Sequence, residues 1–180
     1  MDIHKIRDLI VERVKASPAI RKRIHKYAKD APESLKPEDL AGFEPWLANQ
    51  DLNQYLTECL VPGGYIASGM AVHDLRDIRD ETVEGAGPGG FILPFGYLVI
   101  AGSAGGNQLC VGTDGRVYWA DHEGFGVEVT YKNPETGHWE SLAFTPENVL
   151  RGLVPVAEQF EPFLVSLLTE QSEQQLRELD

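Results

Sequence analysis

The side chains best suited to chemistry in this chain are Asp121-His122-Glu123, with His138 further on. An imidazole between two carboxylates is able to pass a proton or bind a metal ion. A metal centre needs three or four converging ligands, however, and no HExxH or CxxC spacing supplies them. Read as a strand end, the run places Asp121 and Glu123 on one face and turns His122 away. Surface residues at a strand end are therefore expected, with no metal, no cofactor and no catalytic group assigned. A small hydrolase or metal-dependent enzyme using Asp121, His122, Glu123 and His138 is the alternative.

Other strings with a chemical look fail on context. Gly85-Ala86-Gly87-Pro88-Gly89-Gly90 spells GxGxxG. That fingerprint works only between a strand and a helix, whose N-terminus meets a pyrophosphate. Here an acidic stretch precedes and a strand is expected to follow, so the segment reads as a flexible loop. Gly102-Ser103-Ala104-Gly105-Gly106 lacks the Lys-Ser or Lys-Thr of a phosphate loop, and Ser103 lacks the GxSxG elbow. Cys59 and Cys110 sit in apolar surroundings and read as buried free thiols. Trp46, Trp119 and Trp139 read as core or rim packing.

Composition narrows the class. The 180 residues carry 16 Lys and Arg against 28 Asp and Glu, a net charge of −12. Residues 1–30 hold nine of the bases and four of the acids, leaving 7 bases and 24 acids in residues 31–180. An acidic body repels phosphates, which disfavours nucleic acid as the main partner, and attracts basic proteins at long range. At 42% hydrophobic and 24% charged the chain is an ordinary globular one, long enough for one domain with a proper core. No apolar run approaches the roughly 20 residues of a membrane span. The start, MDIHKIRDLIVERVK, has no continuous apolar core of the secretory kind, so a cytoplasmic protein is expected.

The elements that must position these residues begin with an amphipathic helix bearing Ile3, Ile6, Ile10 and Val14. Ser17-Pro18 reads as the cap of a second helix, with Ile20, Ile24, Tyr27 and Ala28 inward and Arg21, Lys22, Arg23 and Lys26 outward. Together residues 1–30 form a basic helical extension. Pro32 and Pro37 punctuate the next stretch, and Trp46, Leu47, Leu52, Tyr55, Leu56 and Leu60 follow a helical pattern up to Pro62-Gly63-Gly64. YIASGMAV reads as one extended segment, and a short acidic helix follows around Leu75–Ile78. Phe91–Ala101 reads as a strand, with Pro94 marking an edge or bend. Asp114-Gly115 marks a tight turn between Asn107–Gly112 and Arg116–Ala120. Val127–Tyr131 and His138–Ala143 pair across Asn133-Pro134-Glu135-Thr136-Gly137. A last helix, beginning after Thr145-Pro146 or near Pro155, carries Val156, Phe160, Phe163, Leu164, Leu167 and Leu168 in one stripe. The tail 170–180 is polar and is expected to fray. The sum is an α+β fold: one antiparallel meander, N-terminal helices, and a closing helix packed on the sheet.

Three segments carry a resemblance to a known family. Val61-Pro62-Gly63-Gly64-Tyr65 with Leu75-Arg76-Asp77-Ile78 is one. Ile92-Leu93-Pro94-Phe95-Gly96 leading to Gly105-Gly106-Asn107-Gln108-Leu109-Cys110-Val111 and Gly115-Arg116-Val117-Tyr118 is the second. Val156-Ala157-Glu158-Gln159-Phe160-Glu161-Pro162-Phe163-Leu164 is the third. In this order, over residues 60–168, they resemble the SUKH superfamily of cell-wall-synthesis regulators and bacterial toxin-immunity proteins. Pro62 stands where that family usually has asparagine, and the family's opening proline helix motif has no clear counterpart in residues 31–60. The resemblance implies a sheet-plus-helix domain that binds a protein, commonly a toxin and often a nuclease, without catalysis. A regulatory scaffold with a cellular partner is the other reading it allows. Charge and expected exposure single out Asp77, Asp80, Glu81, Glu84, Asp121 and Glu123 as partner contacts. Oligomeric state stays open.

Overall fold

A computed structural model describes residues 2–27, 37–61, 64–84 and 87–180. The expectations for Ala28, Pro32, Pro62-Gly63 and Gly85-Ala86 lie outside the described residues, as do the side chains of Arg23, Ile24, Lys26, Tyr27 and Glu84. Helix α1 (Ile3–Ala16) starts on Asp2, whose side chain accepts from the Lys5 N–H. Its residues Ile6 and Ile10 are buried, one turn apart. Ser17 accepts from the Ile20 N–H and Pro18 opens α2 (Pro18–Tyr27), which buries Ile20. A 3-10 turn at Pro37–Leu40 precedes α3 (Glu44–Leu47) and α4 (Gln50–Gln54). Asn49 caps α4 by accepting from the Asp51 and Leu52 N–H groups, and a wider turn continues it through Tyr55–Cys59.

The segment YIASGMAV is a hairpin, not one extended piece. Strands β1 (Tyr65–Ala67) and β2 (Met70–Val72) pair across Ser68-Gly69, at φ +50° and +78°. Two consecutive left-handed residues make the primed turn that matches strand twist. Asp74 then caps α5 (Leu75–Arg79) by accepting from the Asp77 N–H, and a wide turn extends it over Asp80–Glu84. Phe91–Ala101 is not a single strand either. Pro88 begins α6 (Pro88–Ile92), Pro94 sits in a 3-10 turn (Leu93–Phe95), and Gly96 at φ +88° ends it. Only Tyr97–Gly102 is extended, as β3, and it lies inside the sheet, so Pro94 marks no edge. The second half of the glycine string, from Pro88, is therefore the start of a short helix where a loop was expected, and a helical turn precedes the string where a dinucleotide loop needs a strand.

Strands β4 (Gln108–Gly112) and β5 (Val117–Ala120) complete the expected hairpin, with Gly115 at φ +84° in its turn. A 3-10 turn (His122–Gly124) leads to β6 (Val129–Lys132) and β7 (Trp139–Leu142), which pair with each other as a separate ribbon. The closing helix is two helices with a strand between them: α7 (Pro146–Gly152), β8 (Leu153–Ala157) and α8 (Phe160–Leu168). Pro155 is tolerated because β8 is the outer strand of the six-stranded antiparallel sheet, ordered β1-β2-β3-β4-β5-β8. The tail does not fray: α9 (Glu173–Leu179) buries Leu176.

The α+β fold is thus as expected, with β8 and not the ribbon completing the sheet. One face of the sheet carries Leu98, Ile100, Leu109, Val111, Val117 and Trp119 into a core shared with α1, α4 and α8. The other carries Cys110, Tyr118 and Ala120 against Ile92, Phe125, Val129 and Val149 from α6, α7 and the ribbon. Because α1 buries Ile6 and Ile10 in the first of these, the basic N-terminal helix belongs to the core and is no appendage.

Candidate functional site

Two adjacent side-chain amides organise the polar end of the sheet. Asn107 and Gln108 enter β4 nearly buried, 6% and 4% exposed, and buried amides need hydrogen-bond partners. Gln108 Oε1 accepts from the Gly89 N–H at 2.9 Å, and its Nε2 donates to Glu81 Oε2 at 2.8 Å. Asn107 Oδ1 accepts from the His122 N–H at 2.9 Å and lies 3.0 Å from His122 Nδ1. Asn107 Nδ2 donates to Asp180 Oδ1 at 3.0 Å. Ser103, in the β3–β4 turn, donates to the same Asp180 oxygen at 2.5 Å and accepts from the Gly105 N–H.

This network settles a tautomer by logic. Oδ1 of Asn107 already accepts a backbone N–H, so the facing His122 Nδ1 must carry a hydrogen. The neutral ring then presents the lone pair of Nε2.

Of the six acids singled out by charge, three come to this end. Glu81 is tied to Gln108. Asp121 follows directly on Ala120, which faces Gln108 in the sheet register. Glu123 is exposed beside it. The alternation expected for Asp121 and Glu123 fails, because the run is a 3-10 turn and no strand. Asp121 Oδ1 caps it by accepting from the Glu123 N–H at 2.9 Å, and stands 3.6 Å from His122 Nδ1. Asp80 is exposed on the wide turn after α5. Asp77 goes elsewhere: its Oδ2 lies 3.1 Å from where a Cβ on Gly64 would stand, at the start of β1. His138 is exposed in the ribbon's turn, its N–H donating to Thr136 Oγ1.

Ser103, His122 and Asp180 share one network but do not form a nucleophilic triad. In a triad the base holds the hydroxyl and a third group orients the base. Here the carboxylate takes the hydroxyl directly and an amide holds the imidazole. Among the described residues no group of three His, Cys, Asp or Glu side chains is placed to hold a metal ion. What the arrangement does offer to the outside is hydrogen-bond acceptors.

The charge environment sharpens this. The Arg ion pairs among the described residues lie elsewhere: Arg13 with Glu170, Arg116 with Asp114 and Glu158, Arg151 with Glu147, and Arg177 with Glu173. No Lys or Arg among the described residues pairs with Glu81, Asp121, Glu123 or Asp180, so no neighbouring cation offsets their charge. The largest displacements belong to buried and half-buried thiols and phenols instead. Burial pushes the thiol of Cys59 up to about 11 and the phenol of Tyr97 up to about 12. It also raises Cys110, Tyr55 and Tyr65.

Charge-based selection overlooked Asn107, Gln108 and Asp180. Two amides opening an otherwise apolar strand were a visible signal for the first pair. Asp180 has none, since it ends a tail whose polar composition predicts fraying. Compared with protein-family models, characterised proteins and solved structures, the chain matches none.

Proposed function

We propose that this chain is a non-enzymatic protein-binding module of the SUKH kind, an immunity-type protein whose acidic sheet end receives a basic toxin. The observation that carries the reading is the group Glu81, Asp121, Glu123 and Asp180. Glu81 and Asp180 accept from the buried amides of Gln108 and Asn107, and Asp121 and Glu123 flank the His122 N–H that Asn107 holds. Among the described residues no Lys or Arg pairs with any of the four. Uncompensated acids on a net −12 chain attract a basic surface and raise its encounter rate. Nuclease domains, which are basic in order to bind phosphates, fit that description. The antiparallel sheet covered by helices agrees with what the resemblance implies. No helix among the described residues is long and apolar enough to cross a membrane. A cytoplasmic location belongs to the same reading.

The test is to co-express the chain with the product of the reading frame beside its gene and to measure the complex. A complex is expected, and its association rate should fall about tenfold between about 0.05 M and about 0.3 M salt. Asp121→Asn with Glu123→Gln should slow association at low salt and leave dissociation nearly unchanged. Absence of a complex, or binding indifferent to salt, defeats the proposal.

A further inference from the structure

We propose that Asp180 and Asn107 are positioning residues for the acidic turn at Asp121–Glu123, holding the His122 ring so that it presents Nε2 as an acceptor beside two carboxylates. The inference rests on the binding reading above and adds which atoms face the partner. A surface made only of acceptors suits guanidinium and ammonium groups, which only donate.

The chain of contacts runs from a helix to the turn. Helix α9 is anchored by Leu176, 2% exposed, and by Gln175 Nε2 donating to Val156 O at 3.3 Å. It delivers Asp180, whose Oδ1 takes both the Ser103 hydroxyl and the Asn107 amide. The approach is close, for a Cβ on Gly105 would stand 3.2 Å from that oxygen. With Nδ2 of Asn107 committed to Asp180, the amide cannot rotate, and Oδ1 is left facing the His122 backbone and ring. His122 in turn packs on the β3–β4 turn, 3.6 Å from where a Cβ on Gly106 would lie. The turn that carries the acids is thus oriented from a helix more distant in sequence than any strand it touches. The ring is about half exposed, and the acceptor within hydrogen-bond reach of Nδ1 is Asn107 Oδ1 at 3.0 Å, with the Asp121 carboxylate farther off at 3.6 Å and favouring the same tautomer.

The experiment is nitrogen NMR of His122 at a pH where the ring is neutral, with amide hydrogen exchange. Wild-type chain should show the Nδ1–H tautomer. Asp180→Ala should shift the ring toward the Nε2–H form and speed exchange at the His122 and Gly105 amides about tenfold. Amides of β4 should keep their protection, which a general loss of structure would not allow. Asp180→Asn keeps an acceptor oxygen without the charge and should restore tautomer and protection. An unchanged tautomer in Asp180→Ala, or loss of protection throughout β4, overturns the proposal. Binding of an oligoarginine peptide separates the two readings. If Asp180→Ala and Asp180→Asn weaken it equally, charge alone matters and the positioning role falls. If the tautomer switches as expected but the wild-type chain does not bind the peptide, positioning stands and the binding reading above falls.

Discussion

Cys59, Cys110, Tyr55, Tyr65 and Tyr97 hold their protons more tightly in the folded chain than in water, because burial penalises the charged form. For Cys59 the thiol moves from 9.0 to about 11, and for Tyr97 the phenol moves from 10.0 to about 12. The unfolded chain loses these protons first as pH rises, so it binds fewer than the native chain, and stability declines through that range. The contribution is complete below the unfolded values. Urea midpoints should therefore hold steady to about pH 8.5 and fall between about pH 9 and about pH 12. Tyr97→Phe should make the fall shallower; an unchanged slope would refute the assignment. At this scale the sequence spoke clearly for buried thiols, and both cysteines are free and buried. Trp46 is buried and donates its Nε1 hydrogen to Val111 O, whereas Trp139 is 66% exposed on the ribbon. Residue type sets the tendency to bury, but only the neighbouring elements supply the carbonyl that a buried indole needs.

Local pattern and long-range pairing pull apart at α6 and β8. Phe91-Ile92-Leu93 has the aromatic and β-branched look of a strand. Pro88 at the first helical position and the close seat of Gly89 decide otherwise. A Cβ at Gly89 would lie 2.2 Å from the Glu81 carbonyl oxygen. Gly89→Ala should therefore force α6 off the wide turn and cost about 1–3 kcal/mol in chemical denaturation. A neutral result would mean the two segments separate freely. The tail makes the opposite case. Its polar composition suggests fraying, yet Leu176, with Leu179 packed beside it, docks the helix on the core. Leu176→Ala should cost about 2–4 kcal/mol, where a frayed tail would lose nothing. Elements specified by near neighbours were legible: the capped α1 and α2, the Asp114-Gly115 turn, and the Asn133–Gly137 turn. The Ser68-Gly69 hairpin and β8 were not, since a two-residue primed turn and an edge strand bearing Pro155 depend on what pairs beside them.

Over the whole molecule, the excess of acids works against the compact state as well as toward a basic partner. The net charge of −12 repels itself, and added salt screens that repulsion. The thermal midpoint should rise by about 2–5 °C between about 0.01 M and about 0.2 M sodium chloride. A flat or falling response would show that the local ion pairs, such as Arg13 with Glu170, outweigh the net repulsion. The same salt series weakens a charge-driven complex, so stability and binding should respond with opposite sign. The α+β class, the helical start, the central β4–β5 hairpin and the acidic character of the chain were all determined by the sequence by itself. Each follows from periodicity, turn chemistry or composition, which act within a few residues or by simple summation. The tertiary structure alone decided that Glu81, Asp121, Glu123 and Asp180 share one end of the sheet. Acids far apart in the chain meet there because β4 is paired on both sides and its two opening amides, once buried, must find partners across that end.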